Sequence, residues 1–412
     1  MAAEITSLVL LATVLAAAVV RPHGLPEVFV AVPAAGIALI TGIVSGADVH
    51  DETRRLLPIG LFLAAVLVLA QVCAAEGLFD AAGHALARYS KGFPRRLLTS
   101  VFVLSAAVTS VLSLDATVVL LTPVVFATAA RVHSSPRPHV YAAGHLANSS
   151  SLLLPMGNLT NLLALAASGL TLAHFASLML LPWLLVLTVE YAVFRLYFRA
   201  DLVDPAEPVT PTDEVVAPRF AIGVLIVALV GFIVGSFFQV PPYWIAIAAA
   251  LVLGVHALVH GLIRPVGLVK AIDLPFLLFV YGLAVVVRGV VDHGLGAWID
   301  HVLPPSEGLV DLLLFAAIAA VLANLVNNLP ALLILLTPAA AVGPVAVLAV
   351  LIGVNLGPNL SYPGSLATLL WRRVLAERGL SPDLRRFTTL GVLTVPAGIV
   401  LAVLALWAAS SL

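Results

Sequence analysis

Charge is what this chain has least of. Only 10% of its 412 residues are Asp, Glu, Lys or Arg, while 62% are hydrophobic; soluble domains carry about 25% charged residues. The formal net charge of −1 offers no basic surface for nucleic acid. Cysteine is almost missing as well. One residue, Cys73, excludes a disulfide framework and a multi-thiol metal site, and reads as a small core residue. No metal and no other cofactor is expected. The phosphate-binding pattern G-x-x-x-x-G-K-[ST] is absent, so the chain reads as neither an ATPase nor any other enzyme. The first Lys or Arg is Arg21, which leaves no basic start for a signal peptide, and residues 5–20 read as a retained helix.

What remains is apolar sequence in runs that reach or approach the ~20 residues needed to cross a bilayer. The spans read from hydropathy and breakers are 5–20, 26–44, 57–76, 139–170, 174–197, 219–239, 241–262, 274–292, 345–370 and 386–410. Two more apolar segments, 97–131 and 309–342, carry polar residues halfway and read as re-entrant hairpins. The expected fold is an all-α membrane protein of about ten transmembrane helices plus two hairpins. Residues 77–93 suit a helix lying along the inner surface. The stretch "RADLVDPAEPVTPTDEVVAP", 199–218, is acidic and proline-rich and reads as a cytoplasmic linker between residues 1–198 and 219–412.

The two halves resemble each other. "LTP" at 121–123 recurs at 336–338; at the same offset Pro26 meets Pro241. Leu57-Pro58 meets Leu274-Pro275, and Asn148 and Gly157 meet Asn355 and Gly364. Ordered matches at near-constant offset indicate an internal duplication. Each half has an odd number of crossings, whether a hairpin counts as none or two, so the second repeat is inverted. Charge agrees. Seventeen of the twenty Lys and Arg fall on one face, among them Arg21, Arg95, Arg96, Arg131 and Arg372; Arg54 and Arg55 fall on the other, and Arg288 lies within a span. The positive-inside rule then places both termini outside.

The polar residues within these spans are grouped. One hairpin tip carries Thr109, Ser110, Ser113 and Asp115, the other Asn324, Asn327, Asn328 and Pro330. The span after each hairpin breaks midway, at "LPMGNLTNL" with Gly157, Asn158, Thr160 and Asn161, and at "LSYPGSLATL" with Gly364, Ser365 and Thr368. Proline removes a donor and glycine frees the backbone. An isolated Ser, Thr or Asn usually glues helices together. Paired breaks in two repeats instead point to a transporter's binding site, and these residues are taken as the candidate substrate site.

Intramembrane charge is scarce and each instance needs a reason. Asp115 fits a helix cap or a carboxylate that binds and releases a coupling proton; the coupling role is favoured. Arg288, a turn from Asp292, suits a structural ion pair. Glu190 fits an interior partner or an inward-snorkelling side chain, and the sequence leaves that open. Amides and hydroxyls with almost no fixed positive charge favour a neutral polar solute or a small cation over a polyanion.

"VNNLPALLILLTP", "VNLGPNLSYPGSLATLLWRRVLAERGL" and "FVYGL" resemble stretches of the bacterial arsenite permeases, and "LDATVVLLTP" is similar to the family's Asn-Asp-Gly-Ala phrase. Leu114 and Ala116 depart from it. The resemblance implies export of arsenite and antimonite as the neutral trihydroxide, in exchange for protons, from the bacterial inner membrane. It also explains how one cysteine suffices, because a triol is read by hydrogen bonds. Some family members associate with a cytoplasmic arsenite-stimulated ATPase, and a homodimer is the other partnership carried forward. A sodium/proton antiporter or sodium-coupled carboxylate carrier of the same architecture is the alternative; a scaffold or uncoupled channel is the third reading.

Overall fold

The computed structural model describes residues 2–20, 26–203, 216–238, 240–295, 303–376 and 378–411. Arg21 and most of the expected linker, residues 204–215, lie outside the described residues. Among the described residues there is helix and connecting turn but no strand. In chain order the helices are α1 (Ala2–Val20), α2 (Val28–Ile40), α3 (Gly46–Ala75), α4 (Leu78–Ser90), α5 (Pro94–Val111), α6 (Leu114–Arg131), α7 (Pro136–Ser149), α8 (Leu159–Ser168) and α9 (Leu172–Tyr197). After the linker come α10 (Arg219–Phe237), α11 (Pro242–Val259), α12 (Pro265–Ala271), α13 (Leu274–Val290), α14 (Leu309–Val326), α15 (Asn328–Val342), α16 (Pro344–Leu356), α17 (Leu366–Ala376) and α18 (Leu384–Ser410).

Seven described helical stretches are long and apolar enough to cross a membrane, the longest being α3 and the stretch Pro265–His293 that takes in α12 and α13; α1, α2, α8, α10, α15 and α16 are shorter apolar helices. The boundaries differ from expectation in ways that have local causes. Helix α3 starts at Gly46 rather than residue 57. Ser45 accepts from the Asp48 amide at 3.1 Å and the Asp48 carboxylate accepts from the Ser45 amide at 3.0 Å, a reciprocal cap. The Arg55–Glu52 pair at 2.8 Å then carries the helix through the charged turn. Helix α17 runs to Ala376, past the expected end at 370.

The packing is reciprocal. In the first half α5 lies against α7; in the second, α14 lies against α16. Helix α2 packs on α13, while α3 packs on α11; the long helices α9 and α18 pack on each other. The two halves also exchange supports: α15 rests on α8, and the middle of α6 rests on α17. The core is continuous across these contacts, from Phe62 and Val101 in the first half to Phe315 and Leu351 in the second.

Small residues let backbones approach where side chains could not fit. A methyl group at Gly391 of α18 would overlap the Asn359 carbonyl, whereas one at Gly398 would find its nearest neighbour, Leu356, at 3.6 Å. Gly391→Ala is therefore expected to cost about 1–3 kcal/mol through overpacking. Gly398→Ala should be close to neutral. Thermal unfolding of the two variants in detergent checks this, with a clear drop in Tm expected only for the first.

Candidate functional site

Both expected breaks are present, and each is longer than one kink. The first runs from a tight turn at Ser150–Leu153 through extended Leu154, a second turn at Pro155–Gly157 and extended Asn158. The other runs through Gly357–Leu360, extended Ser361, Tyr362–Gly364 and extended Ser365. Such backbone leaves carbonyls without helical partners, and in an apolar environment each must be satisfied by protein or by water in a cavity.

Side chains supply those partners, many of them from the hairpin in the same half. Ser110 Oγ donates to Ser150 O at 3.0 Å, and Trp183 Nε1 donates to the same carbonyl at 3.0 Å. Asn161 Nδ2 donates to Ser151 O at 2.5 Å and Leu154 O at 2.9 Å. In the second half Asn324 Nδ2 donates to Gly357 O at 2.8 Å, and its Oδ1 accepts from Ser361 Oγ at 2.5 Å. Asn327 Nδ2 donates to Pro363 O at 3.0 Å. Each hairpin thus fits against the break that follows it. The fit is close because Gly157 faces the Thr109 carbonyl and Gly364 faces the Asn324 side chain, where a Cβ would crowd both.

Between the breaks lies a buried ring drawn from both halves. Asn355 Oδ1 accepts from Thr160 Oγ1 at 2.8 Å and from Asn158 Nδ2 at 3.1 Å, and Asn355 Nδ2 donates to Asn161 Oδ1 at 2.7 Å. A second link runs beside it. Asn148 Nδ2 donates to Asn359 Oδ1 at 2.9 Å and to Thr368 Oγ1 at 3.1 Å. Asn359 Nδ2 donates to His145 O at 3.1 Å and to Glu190 Oε1 at 3.2 Å. Exposure is 0% for Asn161 and Asn359 and 1% for Asn355, so the ring is closed to solvent in this conformation. Every amide in the ring has a protein partner, and those bonds are the ones a small hydroxylated solute could replace.

Not every expected residue joins this network. Ser113 turns the first tip at φ 154° and caps α6, accepting from the Ala116 amide at 3.2 Å. That corrects the capping reading of Asp115: its carboxyl is half-buried in the first turn of α6 and makes no described hydrogen bond, because Ser113 already satisfies the free amide. Thr109 bonds Thr117 within its own hairpin at 2.7 Å. Among the described residues Asn328 Oδ1 accepts from the following amide, Leu329 N, at 2.9 Å, and Ser365 caps the start of α17 through Ala367 N at 3.2 Å. At the second tip Asn327 adopts φ 77° and ψ 157°, a region that residues other than glycine rarely enter. Arg288 pairs with Asp292 at 2.6 Å and reaches Asp48 at 3.7 Å, a structural role.

The residues that the sequence does not single out for the site are Asn355, Asn148, Asn359, Glu190 and Ser149. In the sequence Asn148 and Asn355 mark only the duplication, and their matched offset is the available signal.

Known proteins match this chain along nearly its whole length. The family model described as arsenical pump membrane protein, ArsB, covers residues 5–408. The chain belongs to this family. The arsenical pump membrane protein of Escherichia coli K12 is 30% identical over 409 residues, covering 94% of this chain and 95% of the relative. A putative arsenical pump membrane protein of Bacillus subtilis is 21% identical, covering 91% and 93%. Among solved structures, the Alcanivorax borkumensis YdaH transporter aligns with a TM-score of 0.58 at 17% identity, over 87% of this chain and 86% of that one, a likeness of fold. As a member of the arsenical pump family with many apolar helices, the chain is a multi-pass protein of the inner membrane. "LDATVVLLTP" and "VNLGPNLSYPGSLATLLW", which carry the resemblance in the sequence, form the second arm of the first hairpin and the second break.

Proposed function

We propose that this protein exports arsenite and antimonite as the neutral trihydroxide, in exchange for protons, by alternating access. The observation that carries the reading is the Asn158–Thr160–Asn161–Asn355 ring, which joins the two helix breaks through amides and hydroxyls alone. A neutral triol offers three donors and three acceptors, which is the complement such a ring can exchange for its own bonds. An anion would require positive charge, and the ring contains none. Membership of the arsenical pump family supports the same solute. The reciprocal contacts of α2 with α13 and α3 with α11, together with α15 on α8 and α6 on α17, support two repeats of inverted topology, residues 1–198 and 219–412, that rock against each other. Asp115, at a hairpin tip and without a hydrogen-bond partner among the described residues, is the proposed coupling carboxylate.

Everted vesicles containing the protein should accumulate arsenite when an imposed pH gradient makes their lumen acidic, and expression should restore arsenite resistance to a strain lacking its own exporter. Sodium-dependent flux with no resistance would instead favour the cation-coupled alternative.

A further inference from the structure

Glu190 lies in α9, is 2% exposed, and has no Lys, Arg or His nitrogen within ion-pair distance among the described residues. A carboxylate buried in a membrane protein without a counter-charge is costly, so the hydrogen-bond pattern around it must account for its charge. Ser149 Oγ lies 2.7 Å from Glu190 Oε2 and 3.0 Å from His145 O. A serine hydroxyl has one proton and can donate only once. The His145 carbonyl can only accept. Both contacts are satisfied together when Ser149 donates to His145 O and Glu190 Oε2 carries a proton that it donates to Ser149 Oγ. The other oxygen, Oε1, accepts from Asn359 Nδ2, whose second hydrogen goes to His145 O. Counted this way, every donor has one acceptor and the carboxyl is neutral.

The position matters as much as the proton. Glu190 and Ser149 belong to the first half, and Asn359 to the turn that follows α16 in the second. Asn359 in turn accepts from Asn148, which also donates to Thr368 of α17. The charge state of one side chain is thereby linked to both helix breaks. The titratable or charged groups on elements packed against α9 are Arg137, His139, Tyr141 and His145 on α7, Arg95 and Arg96 at the start of α5, Arg219 at the start of α10, and Arg385 and Arg386 on α18. Tyr141 and Arg386 lie over Phe198, beyond the end of α9. His145 is the one that meets the Glu190 side of the helix, its ring 5.4 Å from that of Phe194, with both ring nitrogens buried and unpartnered.

Resting on the transporter reading above, we propose that Glu190 is a second proton-binding site of the transport cycle, loaded in this closed conformation and linked to the opposite half through Asn359. Uptake forms the Oε2–H bond with a proton from water; release returns that proton to water and leaves a carboxylate that the closed arrangement does not accommodate, which favours its opening.

Glu190→Gln is the test, because its amide can donate to Ser149 and accept from Asn359 as the protonated acid does. Infrared spectra of the purified protein should show a protonated-carboxyl carbonyl band that fades as the pH rises and is missing from Glu190→Gln. In vesicles the variant should lose pH-gradient-driven arsenite accumulation by about tenfold or more, and what remains should not vary with pH. Glu190→Asp should keep a pH-dependent carboxyl band and some of the accumulation, and it serves as the readout if the glutamine variant fails to fold. An unchanged band in Glu190→Gln, or wild-type accumulation by it, would overturn the proposal. If the wild type itself accumulates no arsenite, the solute reading falls and the infrared band alone decides on Glu190.

Discussion

Asn355→Ala is expected to abolish arsenite export and to lower stability by several kcal/mol. The substitution removes the acceptor of Thr160 and Asn158 and the donor to Asn161 at once. Each buried polar group left unpaired costs about 1–3 kcal/mol, and three groups from the opposite half are affected. Asn355→Ala also deletes the side chain that joins the two breaks, so solute binding should suffer beyond the loss of folded protein. The check is twofold: thermal stability in detergent, and arsenite uptake per folded molecule in everted vesicles. Wild-type uptake per folded molecule would remove Asn355 from the site.

The second large effect is expected at Asp115. Asp115→Asn should leave the fold intact, since the carboxyl bonds nothing among the described residues and Ser113 performs the capping. It should nevertheless reduce pH-gradient-driven accumulation by about tenfold or more, a change of ~1.4 kcal/mol or greater in the driving term. Isotope exchange of arsenite at equal concentration across the membrane separates coupling from binding. Loss of accumulation with retained exchange fits the coupling role; normal accumulation rules it out.

Much of the architecture is legible in the sequence because it is written in contrasts that the membrane enforces. Asn324 and Asn327 stand out in apolar sequence, and both hold carbonyls of the break that follows their hairpin. Gly157 and Gly364 are legible as breakers, and both lie where a hairpin approaches too closely for a side chain. Harder to read is any role that depends on a residue some two hundred positions away. A lone asparagine such as Asn355 or Asn359 looks the same whether it bonds a neighbouring helix or completes a ring with the other half. Glu190 is ambiguous in sequence because it sits two turns from the end of α9, within reach of the surface had the helix been turned otherwise; only the placement of Ser149 and Asn359 decides that it points inward. The start of α3 is misread from sequence because its charged first turns look like loop, whereas the Ser45–Asp48 cap and the Glu52–Arg55 pair make them helix.

The exchange of supports between the halves has a mechanical consequence. The wall behind α8 is α15, and the wall behind α17 is α6, so neither half alone surrounds the helix that follows its own break. A fragment ending in the linker would carry an open trough. In the rocking motion proposed above, a turn of one half against the other would move both walls at once. Opening on one side and sealing on the other would then be a single movement, with no separate gate to keep in step.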